Sequence, residues 1–179
     1  MHEKIVFLDR DGVINLDSED FIKSPEEWQP IPNSLEAIAL LNHAGFKVVI
    51  VTNQSGIGRG LFTLETLDAI HAKMRQLTTE KGGEIAGIYY CPDAPEAQCA
   101  CRKPKPGLLQ QFSQETNTPL QNLFFVGDAW RDIQTALVVG ARPLLVKTGK
   151  GLQTLSEHPE LTLPVFEDLY AAAKYIIAH

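Results

Sequence analysis

Short apolar runs alternate along the chain with longer segments whose apolar residues recur at helical spacing. Each run is continuous rather than alternating, which is typical of strands buried on both faces of a parallel sheet. Strands are predicted at 5–8, 48–51, 85–90, 123–126 and 144–146. Helices are predicted at 33–45, 63–81, 107–116, 131–139 and 167–177. This alternation indicates an α/β fold, a three-layer Rossmann-like parallel sheet covered by crossover helices.

The connections between these elements suggest where function lies. Three of them, at 15–32, 54–62 and 92–106, are longer than compact βα units need, and such loops often carry substrate contacts. The first helix is expected to open with a capping box formed by Asn33 and Glu36. With 179 residues, 44% of them hydrophobic, the chain can bury one good core, so we expect a single domain spanning 1–179.

Charge and hydropathy exclude several classes of partner. The chain has 16 Lys and Arg residues against 22 Asp and Glu residues, and the basic residues are scattered. Because binding of a phosphate backbone needs a concentrated positive surface, a nucleic-acid partner is not expected. No apolar stretch approaches the roughly 20 residues that span a bilayer, and the N-terminus lacks a signal-peptide pattern. We therefore expect a cytoplasmic monomer without a membrane partner.

Candidate chemistry follows the strands. The residues concerned are Asp9, Asp11, Thr52, Asp128 and Asp132. Because the carboxyl ends of parallel strands share one edge, these side chains should converge there, although a single aspartate at a strand end is usually a cap. Two carboxylates about 5 Å apart repel by roughly 3 kcal/mol at an effective dielectric near 20, so such a cluster requires a cation. Oxygen ligands suit Mg²⁺, held by Asp9, Asp11 and Asp128 with Asp132 behind them.

These residues also suit phosphoryl transfer, where catalysis is mostly positioning and neutralisation of charge. Asp9 is the candidate nucleophile, because a carboxylate can form an aspartyl-phosphate. Asp11 is the candidate general acid and base, with a pKa raised by its acidic neighbours. Thr52 offers a hydroxyl group and Lys103 a positive charge to the transferring phosphoryl group.

Four ordered motifs resemble the haloacid dehalogenase superfamily of phosphatases. They are Asp9-x-Asp11-Gly12, Thr52 at a strand end, Lys103 before a helix, and Gly127-Asp128-x-x-x-Asp132. The match covers nearly the whole chain and implies the haloacid dehalogenase fold. One helix and one strand fill most of the interval between Asp9 and Thr52, so the cap domain of larger members is not expected.

Longer segments at 7–15, 52–60 and 90–104 resemble one family within that superfamily, the heptose bisphosphate phosphatases. This resemblance implies removal of the 7-phosphate of D-glycero-D-manno-heptose 1,7-bisphosphate, in nucleotide-activated heptose synthesis for lipopolysaccharide core. Arg102 suits the distal phosphate, because a guanidinium matches phosphate geometry. Arg59 is either a substrate contact or a solvated loop residue. The implied substrate contacts are Asp17, Ser18, Glu19, Asp20, Asn53, Gln54, Ser55, Arg59 and Arg102.

The three cysteines, Cys91, Cys99 and Cys101, lie in one short stretch. An odd, clustered set indicates metal-binding thiolates in a reducing compartment rather than a disulfide framework. The resemblance implies a structural zinc held by Cys-x-His and Cys-x-Cys. Here Asp93 stands at the histidine position, and zinc accepts carboxylate oxygen, so the ligand set becomes Cys₃Asp. The alternative is that the thiols are reduced and free of metal.

Other features are weaker. Ala129 stands where members of the resembled family often have Lys, which removes one positive group near the phosphate. The run Gly149-Lys150-Gly151 is a weak phosphate-binding signal, since no helix start is expected after it. The histidines, at positions 2, 43, 71, 158 and 179, are assigned no catalytic role because none follows a strand.

Three other functions are open. Histidinol-phosphate phosphatase shares the fold, the motifs and the cysteine loop, although the Ser55-Gly-Ile-Gly-Arg59 continuation favours a heptose substrate. A polynucleotide 3′-phosphatase shares the Thr52-Asn-Gln segment, but the net charge of −6 argues against it. A catalytically idle binding module is the third, and it would be free to lose Asp9 or Asp11, which are both present.

Overall fold

Six parallel strands form one sheet at the centre of the computed structural model, which describes residues 3–179. Met1 and His2, and with them the histidine at position 2, lie outside the described residues. The sheet order is β3-β2-β1-β4-β5-β6, and all the pairs are parallel. The strands are β1 (Ile5–Leu8), β2 (Lys47–Asn53), β3 (Gly87–Cys91), β4 (Phe124–Gly127), β5 (Arg142–Val146) and β6 (Val165–Phe166). The predicted α/β class is confirmed.

Helices cover both faces of the sheet and give three layers. They are α1 (Ser34–His43), α2 (Leu64–Glu80), α3 (Gly107–Thr116), α4 (Trp130–Val138), α5 (Gly151–Glu157) and α6 (Leu169–Ala178). Helices α1, α2 and α6 contribute to the core on one face, and α3 and α4 contribute to the core on the other. Two 3₁₀ helices, Pro25–Glu27 and Pro95–Ala97, lie in the long loops.

The central strand explains the continuous apolar runs. Ile5 and Phe7 belong to the core beneath α3 and α4, whereas Val6 and Leu8 belong to the core on the opposite face. The Phe7 ring meets that of Phe112 edge-on, with 5.1 Å between the centroids. Because side chains alternate across a strand and both faces are covered, every position of β1 is buried and has to be apolar.

The order of the strands places the site. β1 pairs with β2 on one side and with β4 on the other, so the direction in which strands are added reverses here. Leu8, the last residue of β1, lies opposite Val126 of β4. The residues that follow these two strands therefore emerge side by side at the carboxyl edge, where ligands bind in open α/β sheets.

The predicted elements agree with the structure except near the C-terminus and at one cap. α5 and β6 were not predicted, because seven- and two-residue elements carry too short an apolar pattern. The prediction of a capping box at Asn33 is wrong, because Asn33 has a left-handed backbone (φ 69°) and its side chain makes no capping hydrogen bond. The Ser34 hydroxyl instead donates to the Ile14 carbonyl at 2.6 Å.

The connections hold no inserted domain within residues 3–179. Between β1 and β2 the only helical elements are the 3₁₀ helix Pro25–Glu27 and α1, and between β2 and β3 the only one is α2. The absence of a cap domain, as predicted, leaves the carboxyl edge of the sheet covered by loops alone. No helix in this part of the chain is both long enough and apolar enough to cross a membrane.

The Ser34 contact gives a test of the fold. Ser34→Ala should lower the free energy of unfolding by about 0.5–1.5 kcal/mol, because it removes the Ser34 hydrogen bond to the Ile14 carbonyl, which keeps the Ile31 N–H as a partner. Asn33→Gly should leave the stability equal or higher, since glycine adopts a left-handed backbone without strain. Urea unfolding of both variants measures this, and a Ser34→Ala variant as stable as the wild type would contradict the role given to this hydrogen bond.

Candidate active site

Asp9 begins the loop after β1 and is tied to both neighbouring strands. Its N–H donates to Val126 O of β4 at 3.0 Å, and its Oδ1 accepts the Arg10 N–H at 2.7 Å. The Lys103 ammonium lies 3.1 Å from the same Oδ1. Lys103 also donates to Asp132 Oδ1 at 2.7 Å and to Val51 O at 3.0 Å. The three N–H bonds of Lys103 thus have three acceptors, and this buried ammonium clamps Asp9 against Asp132.

Asp128 and Asp132 lie at the start of α4, and hydrogen bonds hold both of them in place. Asp132 Oδ2 accepts the backbone N–H groups of Asp128 and Ala129 at 3.2 and 3.1 Å. Asp128 Oδ2 accepts the Lys150 N–H at 2.8 Å, while its carbonyl accepts the Thr154 hydroxyl at 2.8 Å. α5, which follows Lys150, thereby holds Asp128 from the far side.

The carboxylate oxygens of Asp9, Asp128 and Asp132 lie within 4.8 Å of one another, and the three residues are 1–3% exposed. Space around Asp128 is kept by Gly12 and Gly149, since a Cβ built on either would collide with its Oδ2. Both glycines have positive φ angles, of 84° and 56°. Few, hard oxygen donors of this kind are a donor set that fits Mg²⁺.

Electrostatics make this group strained without a cation. Burial first, and then the charge of Asp132, raise the pKa of Asp9 to about 7, although Lys103 opposes the shift. Burial and the charge of Asp9 likewise raise the pKa of Asp128 well above its ordinary value. Burial also acts to raise the pKa of Asp132, but Lys103 and Arg131 outweigh it and lower that pKa. The ammonium of Lys103 satisfies Asp132, so a further positive charge is needed beside Asp9 and Asp128.

The Asp11 carboxylate does not belong to this carboxylate group, contrary to its predicted role as a side-chain metal ligand. Its Oδ1 accepts from Arg10 Nε at 2.9 Å and from Asn15 at 2.9 Å, and its Oδ2 accepts from Gln54 at 3.3 Å. Burial favours the neutral form of Asp11, but the charge of Arg10 and these hydrogen bonds lower its pKa overall. The predicted increase in this pKa is therefore wrong for the unliganded site, because Arg10 lies closer than any acidic neighbour.

The residues after β2 support the site from the other side. The Thr52 hydroxyl, 1% exposed, accepts from Gln54 Nε2 at 3.0 Å. Asn53 exchanges two hydrogen bonds with the backbone of Lys103, at 3.0 and 3.2 Å, and so fixes the loop that carries this lysine. Gln54 and Ser55, expected at the substrate, are buried beneath the loop, with 4% and 7% exposed. In this structure Asn53 bonds to Lys103, and Gln54 bonds to Thr52 and Asp11.

The loop at 17–20 lies across from α5. Asp17, Ser18, Glu19 and Asp20 are exposed. With Thr148, Lys150 and Gln153, part of this loop lines a cavity of about 610 Å³. The Lys150 ammonium lies 3.9 Å from Asp17 Oδ2 across this cavity. The expectation that no helix starts after the run at 149–151 is therefore wrong, because a helix does start at Gly151. Its first turn reaches both Asp128 and the cavity.

Three arginines, Arg59, Arg102 and Arg131, lie near enough for their charges to interact, and we call them the arginine cluster. Burial first, and then the guanidinium groups of Arg131 and Arg59, lower the pKa of Arg102. Arg102 Nη1 and Arg131 Nε are buried and have no hydrogen-bond partner within residues 3–179. A buried N–H without a partner costs about 1–3 kcal/mol, so like charges gathered in this way favour an anion between them.

Arg131 was not recognised from the sequence, although it precedes Asp132 directly. Burial opposes its charged form, but Asp132, Asp9 and Asp128 outweigh burial and raise the pKa of Arg131. A positive group therefore stands near the site even though position 129 is alanine. The signal available in the sequence was its place in the first turn of the helix that carries Asp132.

The cysteine loop gathers its polar side chains as predicted, with two possible chemical states. Ligand atoms of Cys91, Asp93, Cys99 and Cys101 lie within 4.8 Å of one another. The Sγ atoms of Cys91 and Cys101 are in disulfide contact, and Cys99 Sγ lies 3.0 and 2.8 Å from them. A disulfide needs only two of these sulfur atoms, whereas three thiolates and a carboxylate are a donor set that fits zinc.

Comparison with known proteins identifies relatives over nearly the whole chain. Residues 4–141 match the family model described as polynucleotide kinase 3 phosphatase. The D-glycero-beta-D-manno-heptose-1,7-bisphosphate 7-phosphatase of Pseudomonas putida is 53% identical over 175 residues, which cover 97% of this chain and 99% of that protein. Relatives with the same name in Pseudomonas aeruginosa and Neisseria meningitidis are 51% and 47% identical.

Solved structures agree with this match. D,D-heptose 1,7-bisphosphate phosphatase from Bordetella bronchiseptica, complexed with magnesium and phosphate, superposes with a TM-score of 0.94 at 45% identity, over 98% of each chain. A HAD-like phosphatase from Mesorhizobium loti reaches 0.78 at 32% identity, over 99% of this chain and 85% of that one. The chain therefore belongs to the heptose-1,7-bisphosphate phosphatases, a family of phosphoric monoester hydrolases with the haloacid dehalogenase fold.

Proposed function

We propose that this chain removes the 7-phosphate of D-glycero-β-D-manno-heptose 1,7-bisphosphate in a Mg²⁺-dependent reaction that phosphorylates Asp9. The observation that carries this proposal is the buried carboxylate group beside the nucleophile, clamped by Lys103. The names of the relatives support the sugar, its β anomer and the phosphate removed. Formation of nucleotide-activated heptose for lipopolysaccharide core is the pathway that this substrate would serve.

In the first step, Asp9 attacks phosphorus. Its Oδ1 is held by the Lys103 ammonium and the Arg10 N–H, so Oδ2 is the attacking oxygen. The phosphorus–oxygen bond to carbon 7 breaks, and the leaving oxygen takes a proton from Asp11. Asp11 gains that proton when the substrate binds, because the negative phosphate beside its carboxyl raises its pKa. The Thr52 hydroxyl bonds an equatorial phosphoryl oxygen.

In the second step, the Asp11 carboxylate removes a proton from water, which attacks the phosphorus of phospho-Asp9 and releases phosphate. Asp9 and Asp128 hold the metal, while Asp132 stays bound to Lys103 and to two backbone N–H groups. Mg²⁺, when bound, offsets the charge that develops on the phosphoryl oxygens. The clamp by Lys103 keeps Asp9 aligned through both steps.

The arginine cluster receives the phosphate at carbon 1, which is not transferred. Its unpartnered N–H bonds at Arg102 and Arg131 match the oxygens of a phosphate dianion. The cavity between the loop at 17–20 and Lys150 is the place for the heptose hydroxyl groups. The distance between the carboxylate group and the arginine cluster then sets the distance between the two phosphates that the site accepts.

A nucleic-acid substrate, suggested by the description of the matching family model, is not proposed. The chain carries 22 acidic and 16 basic residues, and three of its arginines are gathered at one point rather than along a stripe. A strand of nucleic acid needs a row of positive charges along its backbone. The cluster fits a single phosphate group.

The cysteine loop holds zinc in this proposal, with Asp93 as the fourth ligand. Cys99, which a disulfide would leave unused, lies in contact with both other sulfur atoms. Cys101 directly precedes Arg102 and Lys103, so an ordered metal site here fixes the start of the segment that reaches the arginine cluster and Asp9. Zinc would thereby affect substrate binding by positioning this segment, and it would take no part in the reaction itself.

Replacing the nucleophile tests the reaction itself. Asp9→Asn should lower kcat on the heptose bisphosphate at least about a thousandfold, since an amide cannot form the acyl phosphate. Phosphate release with added Mg²⁺ measures this, and circular dichroism should report an intact fold. Asp68→Asn, an exposed aspartate on α2 with no assigned role, is the matched control. Normal turnover by Asp9→Asn would refute the proposed mechanism.

Selectivity for a bisphosphate tests the arginine cluster. Arg102→Gln and Arg131→Gln should each lower kcat/KM for the bisphosphate about 10–100-fold, because each removes a charged hydrogen bond to the second phosphate. The decrease in kcat/KM for heptose 7-phosphate should be much smaller in Arg102→Gln. Arg142→Gln, an exposed arginine at the amino end of β5, serves as control. Equal losses on both substrates would contradict the assignment of Arg102.

Metal content tests the cysteine loop. Protein purified under reducing conditions should contain about one zinc per chain, and Cys99→Ser should lose it and raise KM. Asp93→His should retain zinc, since Cys₃His is the more usual set. Elemental analysis and thiol titration measure both. The zinc proposal would be contradicted if the wild-type protein contained no metal and had lost two thiols to a disulfide, and if KM were unchanged in Cys99→Ser.

A further inference from the structure

Arg10, between the two catalytic aspartates in sequence, is a buried cation with one acidic partner among the described residues. Its side chain is fully buried, and its Nε and Nη2 lie 2.9 and 2.8 Å from Asp11 Oδ1. Removing one member of such a pair leaves an uncompensated buried charge. The orientation of the Asp11 carboxyl therefore depends on where the guanidinium of Arg10 is held.

His71 holds the other end of that guanidinium. It lies on α2 with 6% of its surface exposed, and its Nε2 is 3.2 Å from Arg10 Nη1. Arginine can only donate, so Nε2 of His71 is the acceptor and the neutral ring carries its hydrogen on Nδ1. Burial and the charge of Arg10 lower the pKa of His71 to about 3, consistent with a ring that stays neutral.

The hydrogen bonds make the two oxygens of Asp11 unequal. Oδ1 accepts hydrogen bonds from Arg10 Nε and Asn15 Nδ2, both at 2.9 Å, and also forms the ion pair with Arg10 Nη2 at 2.8 Å. Oδ2 receives one longer bond, 3.3 Å, from Gln54. Oδ2 is thus the oxygen left for proton transfer, and rotation of the carboxyl would require Arg10 to move from both Asp11 and His71.

We infer that His71 is a positioning residue for proton transfer: through Arg10 it fixes the Asp11 carboxyl with Oδ2 towards the leaving oxygen. The inference rests on the role proposed for Asp11. If His71 were only a buried packing residue, its replacement would affect every substrate alike. Positioning of the general acid instead affects substrates according to how much their leaving group needs a proton.

The test compares two leaving groups. A sugar alkoxide needs protonation, whereas p-nitrophenolate, the anion of a phenol with a pKa of about 7, leaves without it. His71→Met replaces the ring nitrogen with a thioether sulfur, which is only a weak acceptor, in a side chain of similar length. It should lower kcat/KM, which reports formation of phospho-Asp9, about tenfold on the heptose bisphosphate and less than about twofold on p-nitrophenyl phosphate, with KM for the heptose bisphosphate nearly unchanged.

Rescue and controls complete the experiment. His71→Gln, whose side-chain oxygen can accept from Arg10, should recover most of the lost kcat/KM. Met74→Leu, a fully buried change on the same helix, should leave the ratio of the two substrates unaltered. If His71→Met does not fold, His71→Asn, which is too short to reach Arg10, replaces it. Equal losses on both substrates, or no rescue by Gln, would overturn the inference.

Asp11→Asn separates this inference from the proposed function. It should lower kcat/KM on the sugar substrate much more than on p-nitrophenyl phosphate, while the shared hydrolysis of phospho-Asp9 slows for both. If Asp11→Asn shows this selectivity and the His71 variants do not, only the positioning role of His71 fails. If Asp11→Asn shows no selectivity, Asp11 is not the proton donor and both proposals fail together.

Discussion

The structure depends on how a buried cluster of like charges is balanced at one edge of the sheet. Asp9, Asp128 and Asp132 have carboxylate oxygens within 4.8 Å of one another and almost no exposure. Lys103 offsets part of this charge by bonding Asp9 and Asp132 together. Burial, together with the remaining negative charge, raises the pKa of Asp9 and of Asp128, so the site holds protons or a cation.

The fold supplies this cluster by topology rather than by local sequence. Asp9 and Asp128 follow neighbouring strands where the order of the sheet reverses, and Lys103 arrives on a loop pinned by Asn53. Glycines 12 and 149 let two backbone segments approach Asp128 closely. Because each part is held by a different connection, the loops can vary in substrate contacts while the charged centre stays fixed.

Much of this could be predicted from the sequence, because strand ends are easy to locate. β1 and α3 have the predicted bounds, and Asp9 and Asp128 do converge, with Lys103 bonded to Asp9. What could not be predicted is how neighbours divide the hydrogen bonds. Asp11 is turned towards Arg10 by a histidine far along the chain, and no local pattern records that contact. The arginine cluster was partly missed for the same reason.

The central claim is that one divalent cation balances Asp9 and Asp128, and its most direct test is the thermal shift produced by Mg²⁺ at two pH values. Since raised pKa values mean that protons compete with the metal, the Mg²⁺-induced rise in Tm should be larger at about pH 8 than at about pH 5.5. It should be largely lost in Asp128→Asn. An equal rise at both pH values, or one that survives in Asp128→Asn, would contradict this account.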